Sequence, residues 1–102
     1  MLQLRPTCER RAAPLPPDST EARIWSYECT SCRTCVDTVL GNVCPNGGGG
    51  FEPRPVRPST DWVGGNTVTA HPPPATAVEA PVDLAAHRAL VAAAGAVPPE
   101  RR

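Results

Sequence analysis

Glu28-Cys29-Thr30-Ser31-Cys32-Arg33-Thr34-Cys35, followed eight residues later by Cys44-Pro45-Asn46-Gly47, is the stretch on which the fold turns. An x2 spacing between cysteines lets a tight turn bring both sulfurs to one side of the backbone. Zinc asks for such convergence: about four thiolate or imidazole ligands in a tetrahedron, with Zn–S near 2.3 Å. Cys8 lies well upstream, so all five cysteines fall between positions 8 and 44. Five thiols cannot close a complete disulfide set, and clustered cysteines in a reducing compartment read as metal ligands or redox groups.

Outward from this stretch, Ala22 to Cys29 carries the β-formers Ile24, Trp25 and Tyr27 and reads as a strand. Arg33 to Leu40 reads as a two-turn helix with Val36, Val39 and Leu40 on one face and Gly41 at its stop. Leu2 and Leu4 alternate with polar neighbours as a short edge strand would. Thr7 to Arg11 is a tight turn, and Ala12 to Ser19, with three prolines, is a loop. A last short strand is expected near Phe51. A ligand pair on a knuckle, a second pair at a helix start and a Cys-Pro turn together give the layout of treble-clef and RING-type domains. The fold class expected is therefore a small α+β zinc-knuckle domain over residues 1–53 with short strands and one short helix.

Beyond Pro53 the composition shifts. Segments 54–58 and 71–74 favour extended polyproline geometry. The segment 54–102 is expected to be a largely disordered Pro/Ala-rich tail, with one weak helix over 82–94 that would be marginal alone in water. The chain holds 14 prolines, 8 glycines and only four aromatic residues, Trp25, Tyr27, Phe51 and Trp62. Below about 70–80 residues a hydrophobic core alone rarely supplies more than ~3–5 kcal/mol, so the cysteines must do part of the holding.

Ten basic residues, all Arg, balance ten acidic ones. Zero net charge makes nucleic acid an unlikely partner, since such binders show a basic face. Arg5, Arg10 and Arg11 surround Glu9 and read as a solvated surface. No apolar run reaches the ~20 residues needed to span a bilayer, and the first residues lack a secretory apolar stretch. A cytoplasmic location without membrane contact is the expectation.

Residues 1–58 resemble the small bacterial proteins grouped as domain of unknown function 1272. The likeness is carried by Leu4-Arg-Pro-Thr-Cys-Glu-Arg, Leu15-Pro-Pro-Asp-Ser-Thr, Ala22-Arg-Ile, Glu28-Cys-Thr-Ser-Cys-Arg-Thr-Cys and Val43-Cys-Pro-Asn-Gly-Gly. It implies a cysteine-rich, zinc-binding fold and no established activity. The family pattern has cysteines where this chain has Arg11 and Gly47. Under the cross-brace pairing that the resemblance implies, one site would keep Cys8, Cys32 and Cys35, and the other would keep Cys29 and Cys44.

Three arrangements stay open from the sequence. One zinc ion could sit on Cys8, Cys32 and Cys35, completed by water or a carboxylate such as Glu9. The four cysteines from 29 to 44 could regroup around one metal. Or the domain could hold no metal, with the Arg11 guanidinium beside the thiols lowering their pKa values. The first is preferred, because structural zinc contributes on the order of 10–16 kcal/mol to folding in finger peptides. His71 and His87 read as ordinary exposed histidines, Trp62 as a lone exposed aromatic, and Trp25 and Tyr27 as cover for the knuckle. Glu28 and Asp37 flank the cysteines without a core to desolvate them, and no enzyme is expected. The function expected is a structural zinc-binding, non-enzymatic interaction module with an unidentified protein partner. The alternative is a thiol-based redox or metal sensor on Cys29, Cys32 and Cys35.

Overall fold

The computed structural model describes residues 1–102. A three-stranded antiparallel sheet lies at the centre, in the order β2-β1-β3. Strand β1 is Ala22–Ile24 and β2 is Thr30–Cys32, paired so that Ala22 faces Cys32 and Ile24 faces Thr30. Strand β3, Glu52–Pro53, takes the other side of β1, where a proline is tolerated because an edge position needs no inward N–H. The strand expected from Ala22 to Cys29 stops at Ile24. The chain reverses there: Glu28 adopts a left-handed φ of 71° and its N–H donates to the Trp25 carbonyl at 2.9 Å.

No strand forms at Leu2–Leu4. Both sides of β1 are already taken, so Leu4 contributes a buried side chain without joining the ladder. Thr7 instead pairs with Pro14, closing a small loop in which the Cys8 N–H donates to the Ala13 carbonyl at 2.8 Å.

After β2 the chain enters α1, Arg33–Cys35, which continues without a break into a π-helical turn, Val36–Leu40. The Thr38 hydroxyl donates to the Thr34 carbonyl at 2.6 Å, the oxygen that the Thr38 N–H would hold in an ideal α-helix. Gly41 ends the helix at φ 60°, and the N–H groups of Gly41 and Asn42 both close on the Val36 carbonyl. A left-handed stop at this position favours glycine.

The segment 54–102 is not the disordered tail expected from its composition. It is laid against the first half through anchored backbone contacts. The Arg57 guanidinium donates to the Leu2 carbonyl, and the Ala80 N–H donates to the Glu9 carbonyl at 2.8 Å. Helix α2, Leu84–Ala94, begins two residues later than expected because the Asp83 carboxylate caps the N–H groups of Ala85 and Ala86. It docks on the first helix. His87, expected to be exposed, is buried, with Nε2 2.9 Å from the Leu40 carbonyl. Val91 covers Gly41, and Arg102 then donates to the carbonyls of Asn42 and Gly48. Isolation would leave such a helix marginal; tertiary burial overrides that weakness. No helix is long and apolar enough to cross a membrane.

The core divides in two, and the cysteines divide with it. Cys8, Cys32 and Cys35 pack with Leu15 and Ala22. Cys44 packs with Val36, Leu40 and Phe51, bordered by Cys29 and Trp25.

Candidate metal centre

The first group is assembled by three local devices. Cys32 ends β2 and caps α1, its sulfur accepting from the Cys35 N–H at 3.5 Å, which sets both thiols at one helix end. Cys8 arrives from the Thr7–Pro14 loop. Glu9 clasps that loop to β2 from two directions: its N–H donates to the Thr30 carbonyl at 3.0 Å, and its carboxylate accepts from the Thr30 N–H. Because Glu9 follows Cys8 and Thr30 precedes Cys32 by two residues, this pairing delivers Cys8 to the other sulfurs.

All three residues are buried, and their sulfurs lie within 4.8 Å of one another. The Cys8–Cys35 separation is 3.8 Å. Two sulfurs at the corners of a zinc tetrahedron stand about 3.8 Å apart when Zn–S is near 2.3 Å. The donor set and spacing therefore fit three corners of a zinc site. Glu9 is not the fourth: its carboxylate is committed to Arg5, at 2.9 Å, and to Thr30.

Cations stand at the open side. Arg11 Nε lies 3.1 Å from Cys32 Sγ, and an Arg10 guanidinium nitrogen lies 3.6 Å from Cys35 Sγ. These two arginines are thus not the purely solvated surface expected from the sequence. Burial pushes the Cys32 thiol up, but donors outweigh it, chiefly the Cys35 N–H and Arg11, and its pKa ends lowered. The Arg11 pKa is raised in turn by the same contact. Burial carries Cys35 the other way, up to about 11, against the opposing pull of Arg10.

The second group is poorer. Cys44 is fully buried, and burial with the neighbouring Cys29 pushes its thiol up to about 12, against the backbone N–H of Asn46. Asn46 Nδ2 donates to Cys29 Sγ at 3.3 Å. Gly47, where the resemblance implied a further cysteine, has its side-chain space filled. A Cβ there would fall 2.0 Å from Cη2 of Trp25. This pair does not fit a tetrahedral zinc site.

Compared with known proteins, residues 1–57 match the family described as "Protein of unknown function (DUF1272)". The chain belongs to that family. It is similar to an uncharacterized protein of Rhizobium meliloti (strain 1021), with 53% identity over 60 residues, covering 59% of this chain and 71% of the relative. No solved structure matches it. The DUF1272 match takes in all five cysteines together with Arg11 and Gly47, while α2 lies beyond it.

Among the residues weighed from sequence, Cys8, Cys32 and Cys35 come together, whereas Cys29 and Cys44 form the separate pair. His71 is exposed and Trp62 is 79% exposed. Trp25 covers the second pair, whereas Tyr27, 5.0 Å from it between ring centroids, lines the cleft beside Cys29 but is itself 76% exposed. Asp37 pairs loosely with Arg33 at 3.6 Å, and Glu28 accepts from the Gln3 N–H. The clasp by Glu9, the thiol contacts of Arg10 and the indole plug were missed. Only the third left a trace in the sequence, as a glycine in place of the pattern's cysteine.

Proposed function

We propose that this chain is a structural zinc-binding, non-enzymatic interaction module, with one ion held by Cys8, Cys32 and Cys35. The observation that carries this reading is the convergence of three buried sulfurs from separate elements within 4.8 Å of one another, with Cys8 and Cys35 at 3.8 Å. Bound there, zinc would supply the positive charge that keeps three buried thiolates together. The chain's own residues do the rest. Glu9 holds the Cys8 loop on β2, Cys32 caps the helix, and Arg11 sets its guanidinium against the Cys32 sulfur. A protein partner then reads the surface that the centre keeps in shape. Removal of the metal should unfold residues 1–57. In circular dichroism and thermal melting, a strong chelator under reducing conditions is expected to abolish the cooperative transition. An unchanged melt would end this reading.

The Arg11–Cys32 contact supports a second reading, a metal-free thiol sensor. Its cysteines would be Cys8, Cys32 and Cys35, since Cys29 belongs to the other cluster. Fast iodoacetamide labelling of Cys32 in zinc-replete protein at mildly acidic pH would favour it; uniformly slow labelling would remove it.

A further inference from the structure

The three-sulfur centre stops one donor short of a tetrahedron, and the chain supplies no fourth. Cys8, Cys32 and Cys35 are the whole group: no carboxylate or imidazole joins them within 4.8 Å. Zinc takes about four ligands. Glu9, next to Cys8 in sequence, is held by Arg5 and Thr30. Position 11, where the resemblance implies a cysteine, carries an arginine. The turn that would present a sulfur from that position is formed, with the Ala12 N–H donating to the Cys8 carbonyl and the Cys8 N–H to the Ala13 carbonyl, each at 2.8 Å. It presents a guanidinium instead, with Arg11 Nε 3.1 Å from Cys32 Sγ.

Arg10 adds a second cation, 3.6 Å from Cys35 Sγ. Neither guanidinium is paired with a carboxylate, since the ion pairs of the chain are Arg5–Glu9 and Arg33–Asp37. Charge then decides what kind of donor completes the site. A zinc ion on three thiolates carries a single negative charge, and the two arginines turn the cluster singly positive. Water in the fourth position leaves that positive charge unmatched. A fourth thiolate makes the cluster neutral, and sulfur suits an ion already held by soft ligands. Access is from one side. Leu15, Ala22 and Ala13 pack with the cysteines, while Arg11 is exposed and Arg10 half-buried. Cys32, at 3%, is the most exposed of the three cysteines. The ligand that reaches such recessed sulfurs is a small molecule rather than a side chain fixed on another folded surface.

On the basis of the zinc-binding function, we propose that zinc held by Cys8, Cys32 and Cys35 takes one small exogenous thiolate as its fourth ligand, with Arg10 and Arg11 matching the charge. On binding, the thiol gives its proton to solvent and a sulfur lone pair to the metal; no other bond breaks and nothing is oxidised. The two guanidiniums already donate to sulfur, and charge-assisted donors of this kind favour the added thiolate over a neutral ligand.

For the test, cobalt(II) replaces zinc in the full chain, kept reduced by a phosphine, because thiolate-to-cobalt absorption grows with each sulfur bound. 2-Mercaptoethanol is then titrated in. Absorption is expected to rise by one thiolate's contribution and to saturate. Native mass spectrometry of the zinc-loaded chain should show one thiol added, released on denaturation. Arg11→Cys supplies the fourth sulfur from the chain itself and should show the higher absorption from the start, with no response to thiol. Arg10→Gln/Arg11→Gln should keep its cobalt and its circular dichroism but bind the thiol about 10-fold more weakly. A spectrum of the unsubstituted chain that thiol does not change, an equal response in Arg11→Cys, undiminished affinity in the double variant, or loss of cobalt to the thiol overturns the proposal. A chain that takes up neither zinc nor cobalt overturns the zinc-binding function and this ligand with it, so the two failures are distinguishable.

Discussion

Glu9 bonds through its carboxylate to the Arg5 guanidinium and the Thr30 N–H while its backbone N–H reaches the Thr30 carbonyl. Removing that side chain leaves Cys8 in the chain but loosens its delivery to the other sulfurs. Groups that orient metal ligands typically account for 10–100-fold in affinity. Glu9→Ala is therefore expected to weaken zinc binding by about 10–100-fold, as read by competition with a chromophoric chelator. Arg54 is a second residue whose role is visible only in three dimensions. It is 4% exposed, and its guanidinium donates to the carbonyls of Arg5, Leu15 and Pro16. Burial and the nearby Arg57 lower its pKa, and the three carbonyls satisfy the donors of a guanidinium that stays charged in any case. Arg54→Met leaves those acceptors without a donor and should cost about 2–3 kcal/mol in urea denaturation. Cys44, outside the three-sulfur centre, adds a pH dependence in the zinc-loaded chain. Burial pushes its folded pKa up to about 12 against 9.0 for a free thiol. A raised folded pKa stabilises below the unfolded value and loses that contribution as pH rises toward the folded one. The melting temperature of the zinc-loaded chain should thus fall between about pH 9 and 12, measured with reductant present.

At the scale of elements, the first helix was legible from its apolar spacing and from Gly41, and its bounds 33–40 agree with α1 and the π-helical turn. Gly41→Ala places a Cβ at an ordinary 3.5 Å from Val91, so its cost comes from the left-handed backbone alone. About 1–2 kcal/mol of destabilisation is expected on that account, measurable as a lowered denaturation midpoint. The strands were less legible. β1 and β2 are three residues each, too short for alternation to declare an end, and the reversal at Glu28 uses a positive φ at a residue that gives no such signal. Helix α2 was visible as a weak periodicity, but its docking was not. A histidine in an alanine-rich stretch reads as exposed until Leu40 offers it a carbonyl. His87→Ala should remove that bond and leave the carbonyl without a partner, at about 1–2 kcal/mol, with loss of helical circular dichroism from 84–94 as the readout. The split of the cysteines was legible only through family resemblance. Spacing alone left a single 29–44 cluster open, and it is the antiparallel hairpin, by placing Cys29 at the reversal and Cys32 at the end of β2, that sends them to different groups.

The whole molecule is a family domain of 57 residues with a further 45 wrapped along it. The wrapping is held by polar anchors at intervals, Arg57 to Leu2, Ala80 to Glu9, His87 to Leu40 and Arg102 to Asn42, with few apolar contacts between them. Two small apolar clusters, each seeded by cysteines, are what the sheet and helices share as a core. Such a core is modest for a chain of this length, and under the proposed function the three-sulfur centre supplies the remaining hold. Native mass spectrometry of the purified full chain, alongside its Cys8→Ser variant, tests that hold most directly. One zinc ion per chain, absent from Cys8→Ser together with its folded circular dichroism, is the result expected. A chain that carries no zinc yet melts cooperatively, or a Cys8→Ser variant that keeps both ion and fold, would contradict it.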